Sequence, residues 1–222
     1  FAMFIGIVLS TFCGLFLGIE YGDGTIRNKV VVGHKRSSIY LANLITCIAA
    51  GLAMCAAFML VYVAVGIPLI GTFTLEIKYI LLYTGAALLM STAFASIFTM
   101  LAMLNQNKAV VAVSCILFAF ISLFAGQYIQ ARLDTPEMYE GYSYTDDSGE
   151  LIEIEAMKNP RYLEGTKREV YEFIHKLLPG DQQVQIGQMT TQKPGELMIY
   201  SAGMAVVVTA IGMMLFKKKD LK

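Results

Sequence analysis

Five stretches of this 222-residue chain carry no charged side chain over a length that, as helix, crosses a membrane. They are residues 1–19, 39–66, 79–104, 109–130 and 197–216. A hydrocarbon core of about 30 Å needs about 20 helical residues, and each run supplies close to that. A barrel strand would instead alternate apolar and polar residues over about ten positions, whereas these runs are continuously apolar, so their backbone groups must be satisfied inside helices. With 56% of residues apolar and 15% charged, the composition fits the same conclusion. The expected fold class is an all-α polytopic membrane protein.

Lys and Arg close to helix ends stay on the cytoplasmic side. The loop 20–38 holds Arg27, Lys29, Lys35 and Arg36, the turn 105–108 holds Lys108, and the tail holds Lys217, Lys218, Lys219 and Lys222. These segments alternate correctly, so 20–38, 105–108 and the C-terminus are expected in the cytoplasm of a cell membrane protein. The intervening segments, 67–78 and 131–196, are then extracellular, the second with 7 basic and 13 acidic residues. With the tail inside, five crossings leave Phe1 outside, in a chain that opens directly in an apolar run. The expectation is one preceding helix, making six in the full protein.

Residues 1–130 thus form transmembrane helices with a cytoplasmic loop, 131–195 an extracellular insertion, and 196–222 the last crossing and basic tail. The insertion reads as small and α+β. Tyr142 and Tyr144 alternate before a turn at 146–149, and Ile152 and Ile154 alternate after it, which predicts a hairpin. Thr166 with Glu169 predicts a capping box opening a helix. That helix would carry Val170, Phe173, Ile174, Leu177 and Leu178 on one face and end at Pro179 and Gly180. A block of about 65 residues has little core of its own, so it is expected to pack on the bundle mouth, with the five apolar residues as an extracellular gate.

Chemistry-bearing patterns are sparse. The sequence GDGT at 22–25 lacks the longer glycine loop and the Lys-Ser/Thr of a phosphate cradle. His34 and His175 fall on opposite sides of the predicted membrane. Cys13, Cys47, Cys55 and Cys115 lie inside apolar runs, as small buried hydrophobes do. Neither a catalytic residue nor a metal site is assigned, and no nucleic-acid partner is expected. Ion-driven carriers bury ionisable side chains at membrane depth, and these runs offer only neutral groups such as Asn43, Thr46, Ser91, Thr92, Ser96, Thr99 and Ser114. Uphill transport would draw its energy from elsewhere.

The basic loop carries the most specific pattern. Thr25 reads as the N-cap of a two-turn helix after Gly24, Ile26 and Val30 share a face, Arg27 and Lys29 flank it, and Gly33 is the stop. A plain positive-inside loop gripping anionic lipid accounts for the charges equally well. Read from Glu20 through Gly24, Thr25, Arg27, Lys29, Gly33 and Arg36 to Tyr40, the loop resembles the one between the second and third membrane helices of ABC transporter permeases of the ABC-2 type. Residues 159–182 resemble the outer segment before the last helix of bacterial members, and FKKKDLK resembles their tail. The helix order agrees over the whole chain apart from the first helix.

The resemblance implies a permease subunit of an ATP-driven exporter, itself without an ATPase site or cofactor. It would pair with a second permease protomer and with two copies of an ABC ATPase subunit, which hold ATP and magnesium. Glu20, Gly24, Thr25, Arg27, Lys29, Gly33 and Arg36 would be the ATPase-coupling contact. The outer block is larger than in compact exporters of the family. An alternative reading is a non-transporting receptor or sensor whose outer block binds a ligand and whose basic loop recruits a cytoplasmic partner.

Overall fold

The structure, a computed structural model, describes residues 1–71, 76–145, 149 and 151–220. Five of its helical segments are long and apolar enough to cross a membrane, at Ile5–Gly22, Arg36–Ile70, Ile77–Leu104, Lys108–Leu133 and Pro194–Lys218. In chain order, α1 is Ile5–Gly22, the short α2 is Thr25–Val31 and α3 is Arg36–Val61. A π-helical turn, Tyr62–Gly66, joins α3 to α4, Ile67–Ile70. Helices α5, Ile77–Leu104, and α6, Lys108–Leu133, follow.

The second crossing therefore continues through residues 67–70, which the sequence reading placed in a loop. Pro68 explains how. Its ring crowds the carbonyl four residues back and its nitrogen donates no hydrogen bond, and a π-turn just before it widens the helix enough to carry on. Between α5 and α6 the turn is as tight as expected, because the Asn107 side chain accepts hydrogen bonds from the Ala109 and Val110 amides at 2.9 and 3.3 Å.

Helix α5 is central, touching α1, α3, α6, α8 and α9. Its buried positions mix large residues, such as Met90, Phe94 and Phe98, with small ones, Ala86, Ser91, Ala93, Ala95, Ser96 and Ala102, and the small ones let neighbouring backbones come close. On α1, Leu9, Cys13 and Leu17 recur every four residues and are fully buried. Its Gly14 meets the Ala112 backbone of α6, where an added Cβ would lie 3.0 Å from the Ala112 Cα. All four cysteines are buried and unpaired by disulfides. The hydroxyls of Thr46, Thr92, Ser96 and Ser114 bond carbonyls of their own helices, as packing side chains do.

Beyond α6 the chain forms a narrow antiparallel ribbon. Its strands are β1 (Met138–Tyr139), β2 (Tyr142–Thr145), β3 (Leu151–Ile154) and β4 (Met157–Lys158). Tyr142 pairs with Ile154 and Tyr144 with Ile152, the register expected for the hairpin. Most of its predicted turn, 146–148, lies outside the described residues.

Helix α7, Gly165–Leu177, then α8, Pro179–Gln188, lead to α9, Pro194–Lys218. The capping box is not formed. Gly165 takes a left-handed φ of 56° and turns the chain into the helix early, so Glu164 is the N-cap and Thr166 lies inside the first turn with no capping bond. Pro179 and Gly180 do follow the end of α7, but they open α8 rather than a loop, Pro being well suited to a first helical position.

Candidate functional site

Two features occupy opposite ends of the bundle: the α2 platform, and the α7–α8 pair.

At the first end, Gly24 has φ 69°, and that left-handed residue, not Thr25, is the N-cap of α2. Thr25 is the first helical residue and makes no side-chain cap. The stop is at Gly33, with φ 99°. The Gly33 amide donates to Val30 O at 3.0 Å and the His34 amide to Lys29 O at 3.1 Å, the paired bonds of a Schellman motif. Ile26 is fully buried and Val30 packs on the same core, as the sequence pattern predicted.

The seven residues of the basic motif divide by role. Lys29 Nζ reaches both oxygens of Glu20 on α1, at 2.8 and 2.9 Å, which ties the platform to the helix before it. Arg36, in the first turn of α3, donates to the carbonyls of Phe216, Lys217 and Lys219, so it caps the C-terminus of α9. Arg27 alone of the basic residues on α2 points outward, beside Val31 and Val32, which are 78% and 79% exposed, and near the exposed His34 and Lys35. Tyr40, the last residue of the motif, is buried against Gly212 and Phe216 of α9.

The tail completes this end. Lys219 Nζ donates to Met103 O at 2.9 Å and lies 4.7 Å over the Tyr21 ring. Tyr21 itself donates to Met103 O at 2.7 Å. Burial holds the Lys219 ammonium down at about 8. The ends of α1, α3, α5 and α9 are thus bound to one another, and α2 packs on two of them, α1 and α3.

At the other end the expected apolar stripe is only partly covered. Val170, Phe173 and Ile174 remain exposed, while Leu177 and Leu178 are half-buried. Phe173 meets Tyr200 of α9 edge-on at 6.4 Å. Helix α7 leans on α6, α8 and α9, and no described strand of the ribbon packs on it.

Helix α8 is the feature that sequence reasoning missed. Every residue from Pro179 to Ile186 is buried, among them Asp181, Gln182, Gln183 and Gln185. This polar helix dips among α1, α5, α6 and α9. Its glutamine amides find partners, whereas Gln183 Oε1 and both Asp181 oxygens are buried without a hydrogen bond among the described residues. Gln182 accepts from Ser201 and donates to Lys176 O; Gln183 donates to Ala2 O and Met3 O; Gln185 donates to His175 O. The Gly180 amide donates to Ser122 Oγ at 3.0 Å. His175 Nδ1 lies 2.9 Å from Asp181 Oδ1. Burial pushes the Asp181 carboxyl up from its ordinary value, against the pull of His175 and Gln185.

One sequence signal marks α8. Between Lys176 and Lys193 the only charge is Asp181, and the polarity is glutamine. A solvated surface helix spends Lys and Glu instead, because charges remain in water at no cost.

Beside the C-terminal end of α8 lies an apolar cavity of about 530 Å³, bounded by Phe1, Phe58, Tyr62, Tyr83, Leu88 and Ile186. His34 and His175 sit at opposite ends of the bundle, and among the described residues no three His, Cys, Asp or Glu side chains gather as metal ligands. The chain matches no protein-family model, no curated protein and no solved structure. What the fold defines is a class: helical chains with five apolar segments of membrane-spanning length, as in multi-pass membrane proteins.

Proposed function

We propose that this chain is the permease subunit of an ATP-driven exporter of the ABC-2 type, paired with a second permease and driven by a separate ATPase. The observation that carries the reading is α2. It is a short helix laid across one end of the bundle, braced to α1 by Glu20–Lys29, joined to α3 at the left-handed Gly33, and tipped by Arg27, Val31 and Val32. A push on such a helix tilts the helices attached to it, because its joints are short and its core residue Ile26 is anchored. Gly24 and Gly33 set its two corners, and Thr25 starts it. Glu20, Lys29 and Arg36 act in this reading as the brace that transmits the push, and Arg27 is the touching residue.

At the far end, α7 with Val170, Phe173, Ile174, Leu177 and Leu178, resting on α8, is the proposed gate. ATP and magnesium belong to the partner, and the α2 end faces the cytoplasm of the cell membrane. The protruding ribbon favours the second reading, a receptor whose outer block takes a ligand, insofar as a permease gate has no need of it.

The test is purification with a co-expressed ABC ATPase subunit, followed by measurement of hydrolysis with Arg27→Glu. Removing one interfacial cation and adding an anion is expected to weaken the complex by about tenfold or more. Arg36→Glu is unsuited to this purpose, since it also uncaps α9. An Arg27→Glu chain that supports normal complex formation and coupled hydrolysis would remove the coupling role.

A further inference from the structure

The ribbon from Met138 to Lys158 packs on no helix among the described residues. Tyr142 and Tyr144 share one side with their cross-strand partners Ile154 and Ile152, and the two tyrosine rings lie 6.2 Å apart. Tyr142 is 61% exposed and Tyr144 46%, and Leu151 and Met157 are exposed as well. An isolated two-stranded hairpin is marginal in water, and an open aromatic and aliphatic face marks a place where something docks.

Charge says what kind of partner that is. Residues 133–157 contain eight acids and no Lys, Arg or His. The ion pairs of this block lie at or beyond the base of the ribbon, in Lys158–Glu164, Arg168–Glu172 and Lys176–Glu196. Glu140, Glu153 and Glu155 are exposed, and among the described residues none of them is in an ion pair. A second copy of the chain would set acid against acid, and an anionic lipid surface would be repelled in the same way.

We propose that this ribbon is a docking site for a cationic amphipathic polypeptide. Its apolar side chains meet Tyr142, Tyr144, Ile152 and Ile154, and its Lys or Arg residues meet Glu140, Glu153 and Glu155. Among the described residues the outer edges of β2 and β3 have no strand beside them, so an extended segment adds to the ribbon through backbone hydrogen bonds. The site is independent of α2, and it stands whether or not the chain couples to an ATPase.

The experiment uses the full chain in discs of neutral phosphatidylcholine and a fluorescent peptide of alternating Lys and Leu, with empty discs as baseline. Binding is expected, weakening as salt rises, since exposed charges more than about 10 Å apart are screened at 0.1 M salt. Glu140→Gln/Glu153→Gln/Glu155→Gln and Tyr142→Ser/Tyr144→Ser are each expected to weaken it about tenfold. Both variants should unfold at the wild-type temperature, because the ribbon supports no helix. The proposal is overturned if both variants bind as the wild type does, or if a Glu–Leu peptide binds as well as the Lys–Leu one. It is overturned too if the tyrosine variant changes only the oligomeric state and leaves peptide affinity intact, which would assign the face to a second copy.

Discussion

Among the described residues Asp181 is the one acid buried completely, and its situation has a measurable consequence. Its folded-state pKa lies above the ordinary 3.8, chiefly through burial. A carboxyl with a raised folded value binds its proton more readily in the native state than in the unfolded chain, so acid favours folding through this group. The cost of the buried anion is absent below about pH 3.8 and grows as pH rises through the raised value. Asp181→Asn should therefore gain thermal stability over the wild type near neutral pH, and lose that advantage as pH falls toward 4. A thiol-reactive dye reads this unfolding directly, since all four cysteines are buried until the fold opens. An advantage that grew in acid would mean that His175 holds the carboxylate as an anion more strongly than burial opposes it.

At the scale of elements, the contact of α6 with α8 decides whether the outer half holds its shape. Gly126 and Gly180 bring the two backbones together, and a Cβ on Gly126 would sit 2.5 Å from the Asp181 Cα. Backbone does not yield as a side-chain end does, so Gly126→Val should cost about 1–3 kcal/mol in the dye-monitored melt. Gly203→Ala on α9, with nothing within 4 Å of the new methyl, is the matched control and should be neutral or slightly stabilising. Equal melting of the two variants would show that α8 is not wedged as described. The same contact explains what sequence reading could and could not see. The long helices were legible because lipid demands continuous apolar runs, and the hairpin because its alternation and its turn residues agree. Helix α8 was not, since Gln182, Gln183 and Gln185 look like surface residues until their individual partners, Ser201, Met3 and His175, are in place. The α2 platform was legible as a helix, but the turning-in of Lys29 onto Glu20 and of Arg36 onto α9 depends on chain segments up to 183 residues apart. The short-range capping rules failed at Thr25 and Thr166 for a single reason, a preceding or adjacent glycine in the left-handed region.

For the whole molecule, the distribution of charge between the two ends sets an orientation that labelling can test. Lys108 lies against Gly18 and Gly22, Arg36 on the end of α9, and Lys219 on the end of α5, so the basic residues of three separate segments gather at the end of the bundle that carries α2. The opposite end carries the acid-rich ribbon. If Lys and Arg are retained in the cytoplasm, α2 is expected inside the cell and the ribbon outside. The native cysteines are shielded, so a membrane-impermeant maleimide should ignore the wild-type chain. In intact cells it should react with a cysteine introduced by Glu153→Cys and spare one introduced by Ser38→Cys, which should react only after the membrane is opened. Between the two positions lie the crossings of α3, α5 and α6, an odd number, so they must face opposite compartments whatever precedes Phe1. Reaction of both from the same side would mean that one of those three helices does not cross. Reaction of Ser38→Cys alone from outside would keep the bundle and invert it, leaving the Arg27 platform facing away from any ATPase and ending the exporter reading while the ribbon's affinity for cationic peptides stood.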